Sequence, residues 1–180
     1  GETLLNAVLT ELGGNGRLPV LEKLKFDFKI NRHVFLYDDE VHFNRYRLAT
    51  LKSPLYETFS FSWAEAYLRL CRTYEKECLK TGLHERVWNG PPIAAKLFGK
   101  SETAGDLSGN GSAGWKLNAY NDTQYDLVSR LHGYKLIRIP IFTFLFMSLP
   151  FPIWVNQKLK SSSSTILAAA KKKTVARSML

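Results

Sequence analysis

Apolar residues change their spacing several times along this chain, and each change predicts an element. Leu4, Leu5, Val8, Leu9 and Leu12 recur at three- and four-residue intervals, which predicts a helix over 2–12 stopped by Gly13-Gly14. From residue 20 the period drops to two: Leu24, Phe26, Phe28 and Ile30 alternate with Lys23, Lys25, Asp27 and Lys29. That pattern predicts a strand over 20–30 with one apolar and one charged face. Asn31-Arg32-His33 reads as a short turn and 34–38 as a second strand, giving a hairpin. A helix is expected from about residue 44 to a loop near Ser53-Pro54. Ser62 followed by Glu65 has the spacing of a capping box. It would open a helix reaching Thr81, stopped by Gly82, whose stripe of Trp63, Tyr67, Leu70, Cys71, Tyr74 and Cys78 reads as core packing.

A short helix is expected over 91–98, after Pro91-Pro92. The Gly- and Ser-rich stretch 101–114 reads as a mobile surface loop. A helix over about 115–132 turns Leu127, Val128 and Leu131 inward, and Gly133 caps it. Residues 134–141 read as a third strand, ended by Pro140. The apolar run 139–155 is short for a membrane span and is broken by Pro140, Pro150 and Pro152. A buried strand followed by a proline-punctuated covering segment is expected there instead. The serines at 161–164 and the lysines at 171–173 suit a flexible basic tail. The chain thus divides into one domain over 1–155 and a tail over 156–180, with no internal repeat.

Composition adds a little to this picture. With 45% hydrophobic and 13% aromatic residues among 180, the chain can bury a core and is not of disordered type. Its formal charge of +9 favours an anionic partner, either nucleic acid or an acidic membrane surface. Six of the cations lie beyond residue 155, where no acid occurs, so the body is only mildly basic. Cys71 and Cys78 would sit about 10 Å apart on one helix, too far for a disulfide. No His or Cys pair completes a zinc site. Free buried thiols in a reducing compartment, cytoplasmic or nuclear, are the expectation. The first residues lack the basic start of a signal peptide.

The candidate chemistry lies on the hairpin. If Arg32-His33 forms the turn, Asp27 faces Asp38 directly, about 5 Å away, and Glu40 stays on the same face. Three carboxylates so placed repel unless one takes a proton or a cation neutralises them. Mg²⁺ or Mn²⁺ would do so, polarising a phosphate oxygen and activating a bound water. The simpler alternative pairs Asp27 with the neighbouring lysines on an exposed sheet face and lets Asp38-Asp39 merely end a strand.

Asp27-Phe28, then Asp38-Asp39-Glu40, then His42, resembles the core of the PD-(D/E)xK nuclease fold. The similarity is to the branch around very-short-patch repair endonucleases and their endonuclease-like relatives. Asn121-Asp122 followed by Gly133-Tyr134-Lys135-Leu136-Ile137-Arg138 is similar to that branch's polar helix and Gly-Tyr-x-x-x-Arg strand. The resemblance covers about residues 20–47 and 115–141, with 48–114 as a helical and loop insertion. It implies an α/β fold, a mixed central sheet flanked by helices as in restriction endonucleases, and metal-dependent cleavage of phosphodiester bonds in DNA. On that basis Asp27, Asp38 and Glu40 would bind the metal, and His42 or Lys116 would assist the water or the phosphorane. Arg45, Arg47, Lys52 and Arg138 would contact phosphates. Two departures stand out: the acids at 38 and 40 are exchanged in type, and Glu40 occupies the usual lysine position, which leaves Lys116 to supply that charge. The expected partner is nucleic acid, DNA favoured over RNA, and the protein would be a Mg²⁺-dependent endonuclease. The rival readings are a non-catalytic nucleic-acid-binding module of the same fold, similar to the RNA-binding RAP domain, and a membrane-associated interaction protein.

Overall fold

In a computed structural model, the structure describes residues 1–83 and 85–142. The expected tail, the boundary at 155 and most of the apolar run 139–155 lie outside the described residues.

The amphipathic N-terminal segment forms helix α1 (Glu2–Glu11). A hairpin of β1 (Phe28–Ile30) and β2 (His33–Asp38) follows. A 3-10 turn, Glu40–His42, leads into α2 (Arg45–Thr50), capped by the Asn44 side chain, which accepts from the Tyr46 and Arg47 amides. Then come α3 (Pro54–Thr58), α4 (Ala64–Thr73), α5 (Glu75–Gly82), α6 (Glu85–Asn89) and α7 (Pro92–Phe98). The long α8 (Ala113–Leu131) and β3 (Lys135–Pro140) complete the described part. The sheet order is β1-β2-β3, with β1 antiparallel and β3 parallel to β2. This is an α/β arrangement: a small mixed sheet flanked by helices.

Helix α8 is the axis of the fold. Ser112 caps it by accepting from the Trp115 amide. Its apolar side packs Leu117, Tyr120 and Leu127 against Leu5, Val8 and Leu9 of α1 and Leu97 and Phe98 of α7. Near its start, Gly114 lets α6 approach: a Cβ there would lie 2.3 Å from the Val87 carbonyl oxygen. The other flank of α8 buries Asp122, Thr123, Gln124 and Asp126, polar groups that a core helix holds only when they are paired.

Several sequence expectations are corrected. The hairpin turn is Asn31-Arg32, not Arg32-His33. Asn31 takes a φ of 54°, a region asparagine tolerates better than most residues. The pairing is therefore Phe28 with Phe35 and Ile30 with His33. The strand expected over 20–30 forms a ladder only at 28–30. Ahead of it, the Leu21 and Lys25 amides donate to Gln124 and Tyr125 of α8, which replace a strand partner. The helix expected from Ser62 to Thr81 breaks at Tyr74, where Glu75 accepts from the Arg45 amide and guanidinium. Ser62 caps nothing, since the helix begins one residue later, behind Trp63. Cys71 and Cys78 therefore belong to different helices. Both are free and buried, and burial pushes each thiol up to about 12. The expected loop at Ser53-Pro54 opens α3, because proline's fixed φ suits a first helical turn. No helix of the described residues is long and apolar enough to cross a membrane.

Candidate metal centre

The parallel register pairs Leu36 with Arg138 and Asp38 with Pro140. With a side-chain period of two, Asp38 and Arg138 point to the same face of the sheet, toward α8. Asp122 and Asp126 lie one helical turn apart on α8 and meet them there. Arg138 Nη1 donates to both oxygens of Asp38, at 3.0 and 2.8 Å. Its Nε donates to Asp126 Oδ1 at 2.8 Å, and both of its terminal nitrogens reach Asp122 Oδ1 at 3.3 Å. Arg47 of α2 donates to Asp126 Oδ2 at 2.7 Å and to the Tyr56 hydroxyl at 2.8 Å. The Tyr56 hydroxyl in turn donates to Asp126, and the Tyr67 hydroxyl donates to Asp38 Oδ2 at 2.8 Å. The Trp63 ring covers both guanidiniums, 5.4 Å from Arg138 and 5.8 Å from Arg47.

His42 closes the group. Its Nδ1 lies 2.9 Å from Asp122 Oδ2 and 4.0 Å from Asp38 Oδ1, and its Nε2 lies 3.7 Å from Asp39. Its side chain is 24% exposed, whereas those of Arg138 and Asp126 are fully buried, so the group meets solvent on the His42 side. Burial by itself would lower the His42 pKa, but Asp122, Asp38 and Asp39 together raise it to about 9. Burial would raise Asp122, yet His42, Arg138 and Arg47 hold it well below the usual carboxylate range. Asp38, Asp122 and Asp126 therefore face two arginines and one imidazolium, and Asp39 adds a fourth buried carboxylate beside the imidazole.

Asp38, His42 and Asp122 each offer a ligand atom, and the three atoms lie within 4.8 Å of one another. Ligands at about 2.1 Å from a six-coordinate cation stand roughly 3.0 to 4.2 Å apart. The 2.9 and 4.0 Å separations around His42 Nδ1 lie near the two ends of that range, while the 4.8 Å span of the group exceeds it, so an ion there would have to part the His42–Asp122 hydrogen bond and draw the two carboxylates together. One imidazole with two carboxylates fits Mn²⁺ or a similar transition ion better than Mg²⁺, which prefers oxygen alone.

Of the residues singled out on sequence, the structure brings Asp38 and His42 together. Asp27 is exposed, and its carboxylate accepts the Tyr37 amide at 2.7 Å where the β1 ladder has ended. Continuing the register by one residue sets Asp27 beside Leu36, not Asp38. Glu40 lies in the 3-10 turn and outside the clustered group, because β2 stops at Asp38. Lys116 donates to Asn110 at 2.9 Å and lies over the Tyr46 ring; it is not in the group. Among the expected phosphate contacts, Arg47 and Arg138 are buried and already engaged by aspartates. Arg45 is paired with Glu75, and Lys52 is exposed. Asp122, Asp126, Tyr56 and Tyr67 were not predicted. The signal for the first two was a pair of acids four apart on a helix whose neighbours Leu127 and Val128 point inward.

The sequence model of one protein family matches residues 7–149, which include every residue of this centre. The chain belongs to DUF7255. That family is described as one of unknown function. No curated protein and no solved structure matches the chain. For this DUF7255 chain the geometry of the site is therefore the main guide to its chemistry.

Proposed function

We propose that this protein is a metal-dependent phosphodiesterase acting on nucleic acid, DNA before RNA, with its centre at Asp38, His42 and Asp122. The observation that carries this reading is the convergence of those three side chains, from a strand end, the turn after it and the crossover helix, on the solvent-facing edge of the buried network. Asp38, Asp122 and His42 Nδ1 would hold the cation. Bound there, it supplies Lewis-acid charge for a phosphate oxygen and lowers the pKa of a water. Arg138 and the Tyr67 hydroxyl fix both oxygens of Asp38. Asp39 places a further carboxylate 3.7 Å from His42 Nε2, where its charge favours the imidazolium.

A second reading draws on the same contacts. Arg138 already neutralises Asp38, and no acid faces Asp27 across the hairpin, which favours a module that binds nucleic acid without cleaving it. Cleavage of plasmid and single-stranded DNA with Mn²⁺ or Mg²⁺ decides between the two. The enzyme reading expects wild-type cleavage that Asp38→Asn and His42→Ala each reduce by a hundredfold or more, about 3 kcal/mol of barrier. No cleavage by the wild type with either metal, while DNA is still bound, leaves the binding module. Undiminished cleavage by Asp38→Asn moves the site elsewhere.

A further inference from the structure

Lys116, expected to lend its charge to the metal centre, is buried elsewhere without a counter-charge. It stands in the first turn of α8 and is 8% exposed. A buried charge is normally paired with an opposite one. Among the described residues the Lys116 ammonium forms no ion pair, and burial alone pulls its pKa below the usual lysine value. One of its three protons has a partner: Nζ donates to the Asn110 side-chain oxygen, Oδ1, at 2.9 Å. The Tyr46 ring lies beside it, 5.6 Å to the centroid.

The loop over 99–112 holds Asn110 in that position. Asn110 Nδ2 donates to the Lys100 carbonyl at 2.6 Å, and its backbone amide donates to Glu102 Oε1 at 3.0 Å. Gly99 leaves room for the carboxamide, since a Cβ there would stand 3.3 Å from Nδ2. Gly111, at a φ of 59°, lets the loop close on Tyr46, whose hydroxyl accepts the Ser112 amide. Asn110 Cγ lies one C=O bond, about 1.2 Å, from Oδ1, so Nζ stands no more than roughly 4.1 Å from that carbon. A near-attack distance is about 3–3.5 Å, so a small side-chain adjustment suffices. Burial favours the neutral amine, the form in which lysine is a nucleophile. The Gly111 amide, the usual attacker of this carbon in an Asn-Gly pair, is instead engaged with the Ser108 carbonyl at 2.9 Å.

We propose that Lys116 and Asn110 are a modification site, where the two side chains join in an intramolecular isopeptide bond. The Lys116 ammonium first gives one proton to water. The Nζ lone pair then adds to Asn110 Cγ and forms the new N–C bond. The Cγ–Nδ2 bond breaks, and Nδ2 leaves as ammonia with a second proton from Nζ. Ammonia takes up the proton given to water and departs as ammonium, so atoms and charge balance and no oxidant or further reactant is needed. The product is a neutral amide, which removes the buried unpaired charge. Dilution of the released ammonia draws the exchange forward. The bond fastens the loop over 99–112 to α8. It uses none of the side chains of the metal centre, so it stands or falls independently of the phosphodiesterase reading.

The test is mass spectrometry of the purified full chain, with no metal or substrate added. The wild type is expected to weigh about 17 Da less than its sequence requires, the mass of one ammonia. Trypsin should fail to cut after Lys116, so that residues 101–130 appear as one peptide, lighter by the same amount. Lys116→Arg and Asn110→Ala should each show the full mass of their own sequences. A wild type of full sequence mass, cut by trypsin after Lys116, would overturn the proposal, and that measurement needs no variant to fold. A gain of about 1 Da at Asn110 would mean hydrolysis of the carboxamide by water, and would overturn it too. So would a loss of about 17 Da that persists in Lys116→Arg, because the ammonia would then come from another site.

Discussion

Arg138 is the residue on which the centre depends. It is buried and donates to three aspartates on two elements; without it Asp38 keeps only the Tyr67 hydroxyl, Asp122 is left to His42, and Asp126 to Arg47 and Tyr56, in a low dielectric. Arg138→Ala is expected to cost about 3–5 kcal/mol, read as a shift in a urea midpoint. Arg138→Lys keeps the charge but loses the fork that serves three partners at once, and should recover less than half of that loss. By contrast Arg45→Ala breaks a pair with Glu75 in which Arg45 is 48% exposed, and should cost less than about 1 kcal/mol. Equal costs at 45 and 138 would show that the buried network does not carry the energy assigned to it. His42 gives a pH signature. Its folded pKa of about 9 lies above its ordinary 6.5, so its stabilising contribution is complete below pH 6.5 and is lost as pH rises through 9. The shift corresponds to about 3 kcal/mol. Wild type should lose stability across that window in urea titrations, and His42→Gln should be nearly flat there. Asp122 acts in the opposite sense: its depressed pKa stabilises the fold above the ordinary carboxylate range and fails it as pH falls below.

At the level of elements, periodicity was a good guide wherever one face packs against a core. α1, α8 and β3 stand close to where the spacing of Leu5, Val8 and Leu9, of Leu127, and of the run from Leu136 to Ile139 puts them, and α7 follows Pro91-Pro92 as expected. It failed where a long-range polar partner decides. The break at Tyr74 follows from Glu75 bonding Arg45, and the short β1 follows from Gln124 and Tyr125 taking the place of a strand. The hairpin register turned on which of two adjacent dipeptides made the turn, and Asn31 at positive φ decided it. That one choice separated Asp27 from Asp38. Gly114 is an element-scale contact that sequence patterning did not reveal: it reads as part of a loop, yet it sits in the first turn of α8 against α6. Alanine is the better helix former by about 1 kcal/mol. Even so, Gly114→Ala should destabilise the protein by about 1–3 kcal/mol, because its Cβ would meet the Val87 and Trp88 carbonyls and the Gly90 amide within 2.8 Å. A stability gain in thermal unfolding would mean that α6 moves away freely.

Across the molecule, half of the centre was legible and half was not, for one reason. Asp38 and His42 are close in sequence and so announce themselves together, whereas Asp122, Asp126 and Arg138 reach them only because β3 pairs in parallel with β2 after the helical crossover. The network therefore ties α2, α3, α4, α8, β2 and β3, and any ligand that binds it should stabilise the fold as a unit. This gives a test independent of catalysis. A divalent ion at Asp38, His42 and Asp122 must displace the proton that His42 carries below pH 9, so its affinity should rise about tenfold per pH unit between pH 6.5 and 9. At a hundred times its dissociation constant it adds about 2.7 kcal/mol, or roughly 5–10 °C in Tm for a domain of this size. Mn²⁺ titrations followed by thermal unfolding at pH 7 and pH 8.5 should show the larger shift at the higher pH. Asp122→Asn removes a ligand charge while keeping the shape, and should abolish the shift at both. A shift that persists in Asp122→Asn, or that is independent of pH, places the ion away from these three side chains and leaves the aspartates as partners of arginine alone.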